Sequence, residues 1–324
     1  MRLYDIAREA GVAASTVSRA LANPERVNFQ TLEHIRSVAE RLGYRSGSLQ
    51  DSASGTGRKM LDLLVQDISN PFYAGLAKGA ESQARAAGYL VVLGDAEESA
   101  QLERLHIQRL LGTVDGFIIA ARWLSAADLL ELDSQRSVVL FNREVKGLSS
   151  VVTDAEDGSR QIIEHLASLG HTRVLYLAGP RLSWSDGRRW RGLSRAADEA
   201  GILLTKAGPY QPIFGQGAAA AEVALAHGAT AVVAFNDQLA IGVLRRLQHR
   251  GTAVPERISV VSYDDTFGSD FCQPPLTCLT APVEQAGRTA VDLLLAALRG
   301  APPRQIVLPT ALQVRESTGP AAGA

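Results

Sequence analysis

From Met60 onward the sequence alternates between short apolar runs and stretches with the spacing of an amphipathic helix. Apolar runs that are continuous, rather than alternating with polar residues, are typical of parallel strands covered by helices on both faces. Seven or more such runs over about 260 residues predict an α/β fold of two doubly wound lobes rather than one. The runs are "LDLLVQD", "GYLVVLGD", "DGFIIAA", "SVVLFNR", "RVLYLAG", "AVVAFND" and "ISVVSYDD", and helices are predicted over 72–87, 101–111, 158–169 and 238–250.

The composition changes along the chain and predicts its domain organisation. Residues 1–46 have a helical pattern, whereas 47–59 are rich in Ser and Gly, as in a linker. The predicted regions are a headpiece (1–46), a hinge (47–59), a core (60–318) and a tail (319–324).

Composition and charge exclude several classes of protein. The net charge is −1, and no apolar run reaches the roughly 18 residues of a membrane span. The first residues carry acids where a signal peptide needs an apolar core, so we expect a cytoplasmic protein. The two cysteines and six scattered histidines form neither a disulfide framework nor a metal-ligand set. We expect no metal and no cofactor.

The segment "GVAASTVSRAL", residues 11–21, is built mostly from small residues and carries one charge, Arg19. Ile6 and Ala10 lie one helical turn apart, as do Val17 and Leu21, so two short helices can each bury a stripe. Gly11 falls between them, where a tight turn needs unusual backbone angles. This is the pattern of a helix-turn-helix, whose second helix enters the DNA major groove. The alternative is a three-helix packing module without a DNA role.

If the segment binds DNA, its small side chains let the helix backbone approach the bases. Ala14, Ser15 and Arg19 share one face and are expected to reach base edges, because an arginine suits the paired acceptors of guanine. The expected phosphate contacts, which position the protein without reading sequence, are Tyr4, Thr16, Ser18, Asn23, Asn28 and Thr31.

Polar residues follow several of the predicted strands. Asp67, Asn142, Asn236 and Asp264 each lie at a strand's carboxyl end, where open parallel sheets bind ligands. A polyhydroxylated ligand needs bidentate polar partners at its edges and flat faces above and below. Arg189 offers such a fork of donors, and Phe72 and Tyr73 offer the faces. The tryptophans, Trp123, Trp184 and Trp190, are open between ligand stacking and a surface or subunit contact.

One motif favours a different function. "GQGAAA", residues 215–220, precedes a helix, the strand "AVVAF" and Asp237, which imitates a dinucleotide fingerprint and would indicate an NAD-linked enzyme. However, Pro212 interrupts the preceding run, and proline suits a central strand poorly. No histidine accompanies the motif to position a hydride. We therefore expect a protein that is not an enzyme.

Several motifs resemble the lactose-repressor family of bacterial transcription regulators. They are "LYDIAREAGVAASTVSRAL", "RLGY", "DISNPFY", "FNDQLAIG" and "ISVVSYDDT", and the likeness runs from about Leu3 to Glu316. The resemblance implies a helix-turn-helix headpiece, a hinge, and a two-lobed core like periplasmic sugar-binding proteins. Within that core it implies lobe one at about 60–157 and 282–309, and lobe two at about 158–281 and 310–318. It also implies a homodimer that binds a palindromic double-stranded operator, with affinity switched by a small ligand. By this likeness Leu3 joins Ala14, Ser15 and Arg19 as a base-reading residue.

The headpiece and hinge depart from the family pattern. Arg2 and Ala13 stand where the family has Ser or Thr helix caps. The family hinge, Pro-Asn-x-x-Ala-Arg-x-Leu, is absent, and the leucine that wedges into the minor groove is replaced by Ala53. Either Leu49 substitutes in a shifted register, or the protein binds without kinking the DNA.

In its pocket chemistry the chain is most similar to ribose-binding proteins. The likeness implies that Asn70, Phe72, Tyr73, Arg143, Arg189, Asn236 and Asp264 contact the ligand. Asn142 replaces a usual aspartate and Ala281 a usual glutamine, while one aromatic slot falls on Pro212 or, with a small deletion, on Phe214. These changes indicate a pentose, another sugar, a polyol or a nucleoside. The expected function is a repressor released by such a ligand; the alternatives are a co-repressor mode or a sugar-binding protein with a decayed headpiece.

Overall fold

A computed structural model describes residues 3–22, 27–28, 31–32, 34–35, 37–38 and 58–322, with the backbone alone at 3, 4, 19, 21 and 22. The chain divides into two units, one up to Arg58 and the other from Lys59 onward. In the described part of the chain, no helix has the length and apolar character needed to cross a membrane.

The described residues of the N-terminal unit include the helices α1 (Leu3–Ala10) and α2 (Ala14–Ala22). Gly11 joins them at a φ of +63°, a conformation that costs glycine little. Ile6 and Val17 are fully buried between them. The helical residues 31–32, 34–35 and 37–38 complete this small core with Leu32, Ile35 and Val38.

The second unit contains two six-stranded sheets. Its helices are α3 (Phe72–Ala86), α4 (Ala100–Leu110), α5 (Ala126–Gln135), α6 (Ala155–Ser168), α7 (Trp184–Ala200), α8 (Gly217–His227), α9 (Asp237–His249) and α10 (Val283–Leu298). Its strands are β1 (Met60–Val65), β2 (Leu90–Asp95), β3 (Gly116–Ile119), β4 (Ser137–Phe141), β5 (Ser149–Thr153), β6 (Arg173–Leu177), β7 (Leu203–Ala207), β8 (Ala231–Ala234), β9 (Ser259–Asp264), β10 (Thr277–Thr280), β11 (Gln305–Leu308) and β12 (Ala311–Gln313).

The strand order defines two lobes. The first sheet runs β11-β5-β4-β3-β1-β2 and is parallel throughout. The second runs β12-β10-β9-β8-β6-β7, and only β12 pairs antiparallel among its described strands. The chain therefore crosses between the lobes three times, after β5, after β10 and after β11. The predicted α/β fold with two doubly wound sheets is confirmed.

Apolar side chains cover both faces of each sheet, as the continuous apolar runs predicted. In the first sheet, Leu61 and Leu63 of β1 face one cluster, while Leu64 faces another. Helices α3 and α10 pack so closely over this sheet that a Cβ on Gly79 would lie 1.9 Å from the Glu284 carbonyl oxygen. Glycine is required here by backbone contact rather than by backbone angle.

The helix predicted over 158–169 begins three residues earlier than expected. Its N-terminal cap is Asp154, whose Oδ1 accepts a hydrogen bond from the Asp157 N–H at 3.0 Å. An aspartate at this position satisfies one of the unpaired N–H groups of the first turn. The polar residues before the apolar stripe are therefore the first turn of α6.

The dinucleotide-like motif has a packing role. A short 3₁₀ helix, Phe214–Gln216, precedes α8 where a nucleotide-binding fold would have a strand. A Cβ on Gly217 would lie 2.2 Å from the Gly242 carbonyl carbon, so these glycines allow α8 and α9 to approach closely. The motif therefore does not form a phosphate-binding turn.

Candidate functional site

A cavity of about 590 Å³ lies where the carboxyl ends of both sheets converge. Lobe one contributes the segments after β1, β2, β3 and β4, and lobe two contributes the segments after β6, β7 and β8 and the end of β9. The lining residues include Gln66, Asp67, Asn70, Phe72, Tyr73, Glu98, Arg122, Trp123, Asn142, Arg143, Trp184, Arg189, Pro212, Phe235, Asn236 and Asp264. Eight of the nine residues proposed from the sequence for ligand binding are thus brought together; their role in binding stays a prediction.

Arg189 and Asp264 form a buried ion pair in the wall of the cavity. Arg189 Nη2 donates to Asp264 Oδ1 at 2.8 Å, and Nη1 donates to the Phe235 carbonyl oxygen. The guanidinium carbon lies 4.7 Å and 4.3 Å from the ring centres of Phe235 and Tyr263. Because both charged side chains are only 8% exposed, each depends on the other for compensation.

Burial raises the pKa of the Asp264 carboxyl, and the neighbouring Arg189 charge lowers it. Asp264 also ends β9 with a φ of +101°, a conformation in which side chains other than glycine are strained. The backbone of Asp264 itself is thus held in an unfavourable conformation at the cavity wall, as is common for residues at functional sites.

Asn142 has a φ of +48°, which asparagine tolerates better than most residues. Its Oδ1 accepts hydrogen bonds from the N–H of Thr153 at 2.9 Å and from the Thr153 hydroxyl at 3.1 Å. These bonds fix the side chain through its oxygen. The N–H groups of its side-chain Nδ2, which make no bond to other described residues, are then the part able to contact a ligand.

The turn before α3 places two aromatic rings at the cavity. Asn70 Oδ1 accepts from the Phe72 N–H at 3.1 Å, which forms a local turn of the kind asparagine favours. The rings of Phe72 and Tyr73 meet edge to face with centres 5.5 Å apart, and Phe72 also stacks on Phe141. Burial raises the pKa of the Tyr73 hydroxyl, so this group is a neutral donor or acceptor.

Asn236 combines a structural role with its place in the lining. Its Oδ1 caps α9 by accepting from the Leu239 N–H at 3.1 Å, and its Nδ2 donates to the Pro212 carbonyl oxygen at 3.1 Å. The bond fixes Pro212 against the cavity.

The prediction that Phe214 fills the aromatic slot of the site is corrected by the structure. Phe214 does not line the cavity: it lies in the 3₁₀ helix with 41% of its surface exposed. The guanidinium carbon of Arg245 lies 5.4 Å from the centre of its ring. The bond from Asn236 holds Pro212 at the wall, and the chain turns away before Phe214. The ungapped alternative, Pro212, is the residue that lines the cavity.

Arg143 lines the cavity but also supports its wall. Arg143 Nη2 donates to the Leu124 carbonyl oxygen at 2.6 Å. Part of its donor capacity is therefore used by the backbone of the segment after β3.

Sequence reasoning missed Glu98 and Arg122, which form an ion pair in the lining. Glu98 lies three residues after the end of β2 and Arg122 three residues after the end of β3, so the strand-end rule could have found both. Of the tryptophans left open, Trp123 and Trp184 line the cavity. Trp190 instead stacks on Tyr176 with ring centres 6.1 Å apart.

Most of the proposed DNA-contacting residues in the described part of the N-terminal unit lie on α1 and α2. In α2, Ser15 and Ser18 are exposed and Ala14 and Thr16 are partly buried, while the backbone of Arg19 lies in the same helix. The backbones of Leu3 and Tyr4 lie in α1, Asn28 is exposed, and Thr31 is partly buried. Arg2, Asn23, Leu49 and Ala53 lie outside the described residues, so the hinge hypothesis stays a prediction.

Two adjacent helices around a glycine turn, followed by a two-lobed α/β core with a cavity between its sheets, define a class of ligand-responsive DNA-binding proteins. Residues 2–46 match the lacI family of bacterial regulatory proteins, and 163–318 match a periplasmic binding protein-like domain.

The transcriptional regulator DegA of Bacillus subtilis is 30% identical over 330 residues, with 98% of each chain covered. The Lac repressor dimer bound to operator and the anti-inducer ONPF matches with a TM-score of 0.76 at 28% identity, covering 98% of this chain and 99% of that one. A LacI family regulator from Enterococcus faecium with bound ribose matches with a TM-score of 0.71 at 30% identity, covering 81% and 99%. The chain belongs to the LacI family of transcription regulators, and the family resemblance read from the sequence is confirmed.

Proposed function

We propose that this protein is a repressor that binds a palindromic operator as a homodimer and is released by a sugar-like ligand in the cavity. The observation that carries the proposal is the buried pair of Arg189 and Asp264 in a cavity with walls from both lobes. A ligand that bridges these walls can favour one arrangement of the lobes over another. The dimer bound to operator in the Lac repressor structure supports the expected assembly.

The chemistry of the lining supports a carbohydrate. Asp264 Oδ2 is an acceptor for ligand hydroxyls, and Arg189 and Asn142 carry N–H donors at the same cavity. The rings of Phe72 and Trp184 provide apolar surface for the flat faces of a sugar ring. The bound ribose of the Enterococcus faecium regulator supports a ligand of this class.

Coupling between ligand and DNA requires that the ligand bind one lobe arrangement better than the other. The three connections between the lobes allow the two lobes to close on each other. A hydrogen bond also spans the lobes, from Gln238 Nε2 to the Ser69 carbonyl oxygen at 3.3 Å. In our proposal the closed arrangement alters the positions of the paired headpieces and lowers operator affinity.

For DNA, we propose that α2 enters the major groove, with Ala14, Ser15 and Arg19 at the bases. The remaining contacts, including Tyr4 and Thr16, would go to phosphates. No enzymatic activity is part of this proposal, and we place the protein in the cytoplasm, where bacterial operators lie.

Calorimetric titration of the purified protein with pentoses, hexoses, polyols and nucleosides tests the ligand proposal. At least one compound should bind, and Asp264→Asn should weaken it by at least tenfold. Asp157→Asn is the matched control, because that carboxylate is 41% exposed, pairs with Arg160 and does not line the cavity. Equal weakening by both variants, or no effect of Asp264→Asn, would contradict the site.

Adding the bound compound to an operator complex then separates the modes of regulation. A fall in operator affinity is expected for an inducer. A rise would instead establish the co-repressor mode. If Arg19→Ala leaves DNA binding unchanged, the headpiece does not read sequence, and the protein is a sugar-binding protein.

A further inference from the structure

A small chamber lies beside the main cavity, at the connections between the two lobes. It has room for about one group of the size of a water molecule. Phe72, Arg189 and Asp264 line both the chamber and the main cavity. The other lining residues lie at strand ends and in the connections between the lobes: Thr153, Ala155, Tyr263, Leu279, Ala281 and Thr310. A ligand bound to Asp264 in the main cavity is therefore next to this chamber.

The space depends on a small residue at position 281. Ala281 follows β10, precedes Pro282 and is only partly buried. The other alanine of the lining, Ala155, is buried in the first turn of α6. Protein interiors are close-packed, so a gap that one larger side chain at position 281 could fill needs an explanation.

Two threonine hydroxyls at the chamber are left as hydrogen-bond acceptors. Thr153 Oγ1 donates to Asn142 Oδ1 at 3.1 Å. Thr310 Oγ1 donates to the Asp154 carbonyl oxygen at 3.0 Å. Each hydroxyl has a single hydrogen, so both oxygens keep lone pairs that only a donor can use.

The ion pair gives the chamber both donors and acceptors. Asp264 Oδ2 accepts no hydrogen bond from the described residues, and Arg189 has N–H groups beyond those that bond to Asp264 and the Phe235 carbonyl oxygen. The two charges compensate each other, so the site favours a neutral group. A hydroxyl group is neutral, donates and accepts. A carboxylate would instead face further acceptor oxygens, and a methyl group would leave them unpaired.

We infer that the ligand is a hexose-type sugar whose primary hydroxyl group enters this chamber, with Ala281 as the specificity-determining residue. This inference rests on the proposed function and narrows its ligand class. The hydroxymethyl arm is the part that distinguishes a hexopyranose from the corresponding pentopyranose, and it carries a hydroxyl beyond the ring. A 6-deoxyhexose keeps the arm but lacks the hydroxyl that Thr310 and Asp264 would bind.

Three series of sugars test this inference by calorimetric titration of the full-length protein. Each series contains a hexose, its 6-deoxy form and the pentose with the same ring configuration. They are D-galactose, 6-deoxy-D-galactose and L-arabinose; D-glucose, 6-deoxy-D-glucose and D-xylose; and D-mannose, 6-deoxy-D-mannose and D-lyxose. In at least one series the hexose should bind at least about tenfold tighter than the pentose and at least about threefold tighter than the 6-deoxy sugar.

The variant Ala281→Val fills the chamber. Valine suits the extended backbone that a proline imposes on the residue before it. The variant should weaken the preferred hexose by at least about tenfold and change the affinity for its pentose by no more than about twofold, since only the arm loses its space. Ala301→Val is the matched control, because Ala301 also precedes a proline, is exposed and lines neither space. It should change neither affinity.

The variant Thr310→Val removes one acceptor while keeping the shape of the side chain. The Asp154 carbonyl oxygen still accepts a hydrogen bond from the Gly158 N–H at 3.1 Å. The variant should weaken the hexose by about threefold to tenfold and leave the 6-deoxy sugar and the pentose within about twofold.

Three results would overturn the inference. They are equal binding of hexose and pentose in every series, as expected if the chamber holds only a water molecule, an equal effect of Ala281→Val on both, and no binding of any of these sugars. The proposed function survives these results if another compound binds and Asp264→Asn weakens it at least about tenfold. If Asp264→Asn has no effect on any bound compound, the proposed site itself fails.

Discussion

Replacing Arg189 by methionine should destabilise the core strongly, because Asp264 would be left as an uncompensated buried charge. Arg189 makes two hydrogen bonds, one to Asp264 and one to the Phe235 carbonyl oxygen, with both charged side chains 8% exposed. Removing one partner of such a buried pair costs about 3–5 kcal/mol of unfolding free energy. Methionine roughly preserves the volume of the side chain, so a cavity contributes little to this cost.

The double variant Arg189→Met, Asp264→Asn separates lost charge pairing from lost packing. Asparagine removes the charge and tolerates the positive φ at position 264. The double variant should therefore regain about 2 kcal/mol or more over the single one. It should still be about 1–3 kcal/mol less stable than the wild type, since the Phe235 carbonyl oxygen keeps no donor from residue 189.

The pH dependence has a defined sign. Burial already raises the pKa of Asp264 against the opposing effect of Arg189, so the Arg189→Met variant raises it further. A carboxyl with a raised pKa in the folded state favours folding at low pH and loses that contribution as the pH rises through the folded pKa. The single variant should therefore fall further below the double variant at pH 8 than at pH 5.

Urea denaturation of the full-length protein, followed by circular dichroism at both pH values, measures these differences. The reasoning would be refuted if Arg189→Met costs less than about 1 kcal/mol, because a buried pair cannot be broken so cheaply. It would also be refuted if the single and double variants are equally stable at both pH values.

Three further predictions concern packing, titration and capping, and each is measured by urea denaturation. Gly79→Ala should lower the unfolding free energy by about 2 kcal/mol or more, because its Cβ would meet a backbone carbonyl of α10. Gly112→Ala should be nearly neutral, because no atom lies within 4 Å of the added Cβ. Similar losses in the two variants would contradict the close packing of α3 against α10. Burial raises the pKa of Asp237 to about 7. As the pH rises from 4 to 8, the unfolding free energy of the wild type should therefore fall by up to about 4 kcal/mol relative to that of Asp237→Asn. A difference that does not change with pH would contradict this. Asn236→Ala should lower the unfolding free energy by about 0.5–2 kcal/mol through loss of the α9 cap, and Asn236→Ser, which keeps a capping oxygen without adding a buried charge, should recover part of that loss if capping is the cause.

The sheets were the most predictable part of this molecule. Continuous apolar runs have one stable solution, a parallel sheet covered on both faces, so the strand segments could be recognised locally. The return of the chain for β11 and β12 depends on pairing with strands more than 30 residues away along the chain. Local pattern carries no information about such pairing, and the division of 282–318 between the lobes came with the family resemblance.

Much of the cavity could also be predicted, because the carboxyl ends of parallel strands meet at one edge. That rule places Asn236 and Asp264 together at the edge of the second sheet and Asn142 at the edge of the first. The expectation that the two edges face one cavity came with the family resemblance. The same rule points to the segment after β3, but the path of that segment could not be predicted, since Glu103, about 20 residues earlier, accepts hydrogen bonds from the N–H groups of Trp123 and Leu124. Phe214 was misplaced because the sequence does not distinguish the ungapped alignment from the gapped one; in the structure Pro212 lines the cavity and accepts a hydrogen bond from Asn236.

The most direct test of the account is selection of genomic fragments by the purified full-length protein without added ligand, repeated with Arg19→Ala. We predict that the wild-type protein enriches fragments sharing a palindrome and that Arg19→Ala loses this enrichment. The central step of the palindrome will show whether the DNA is kinked, as a wedge in the minor groove would require. Failure of the wild type to enrich any common sequence, or equal enrichment by Arg19→Ala, would contradict the proposal that α2 reads an operator.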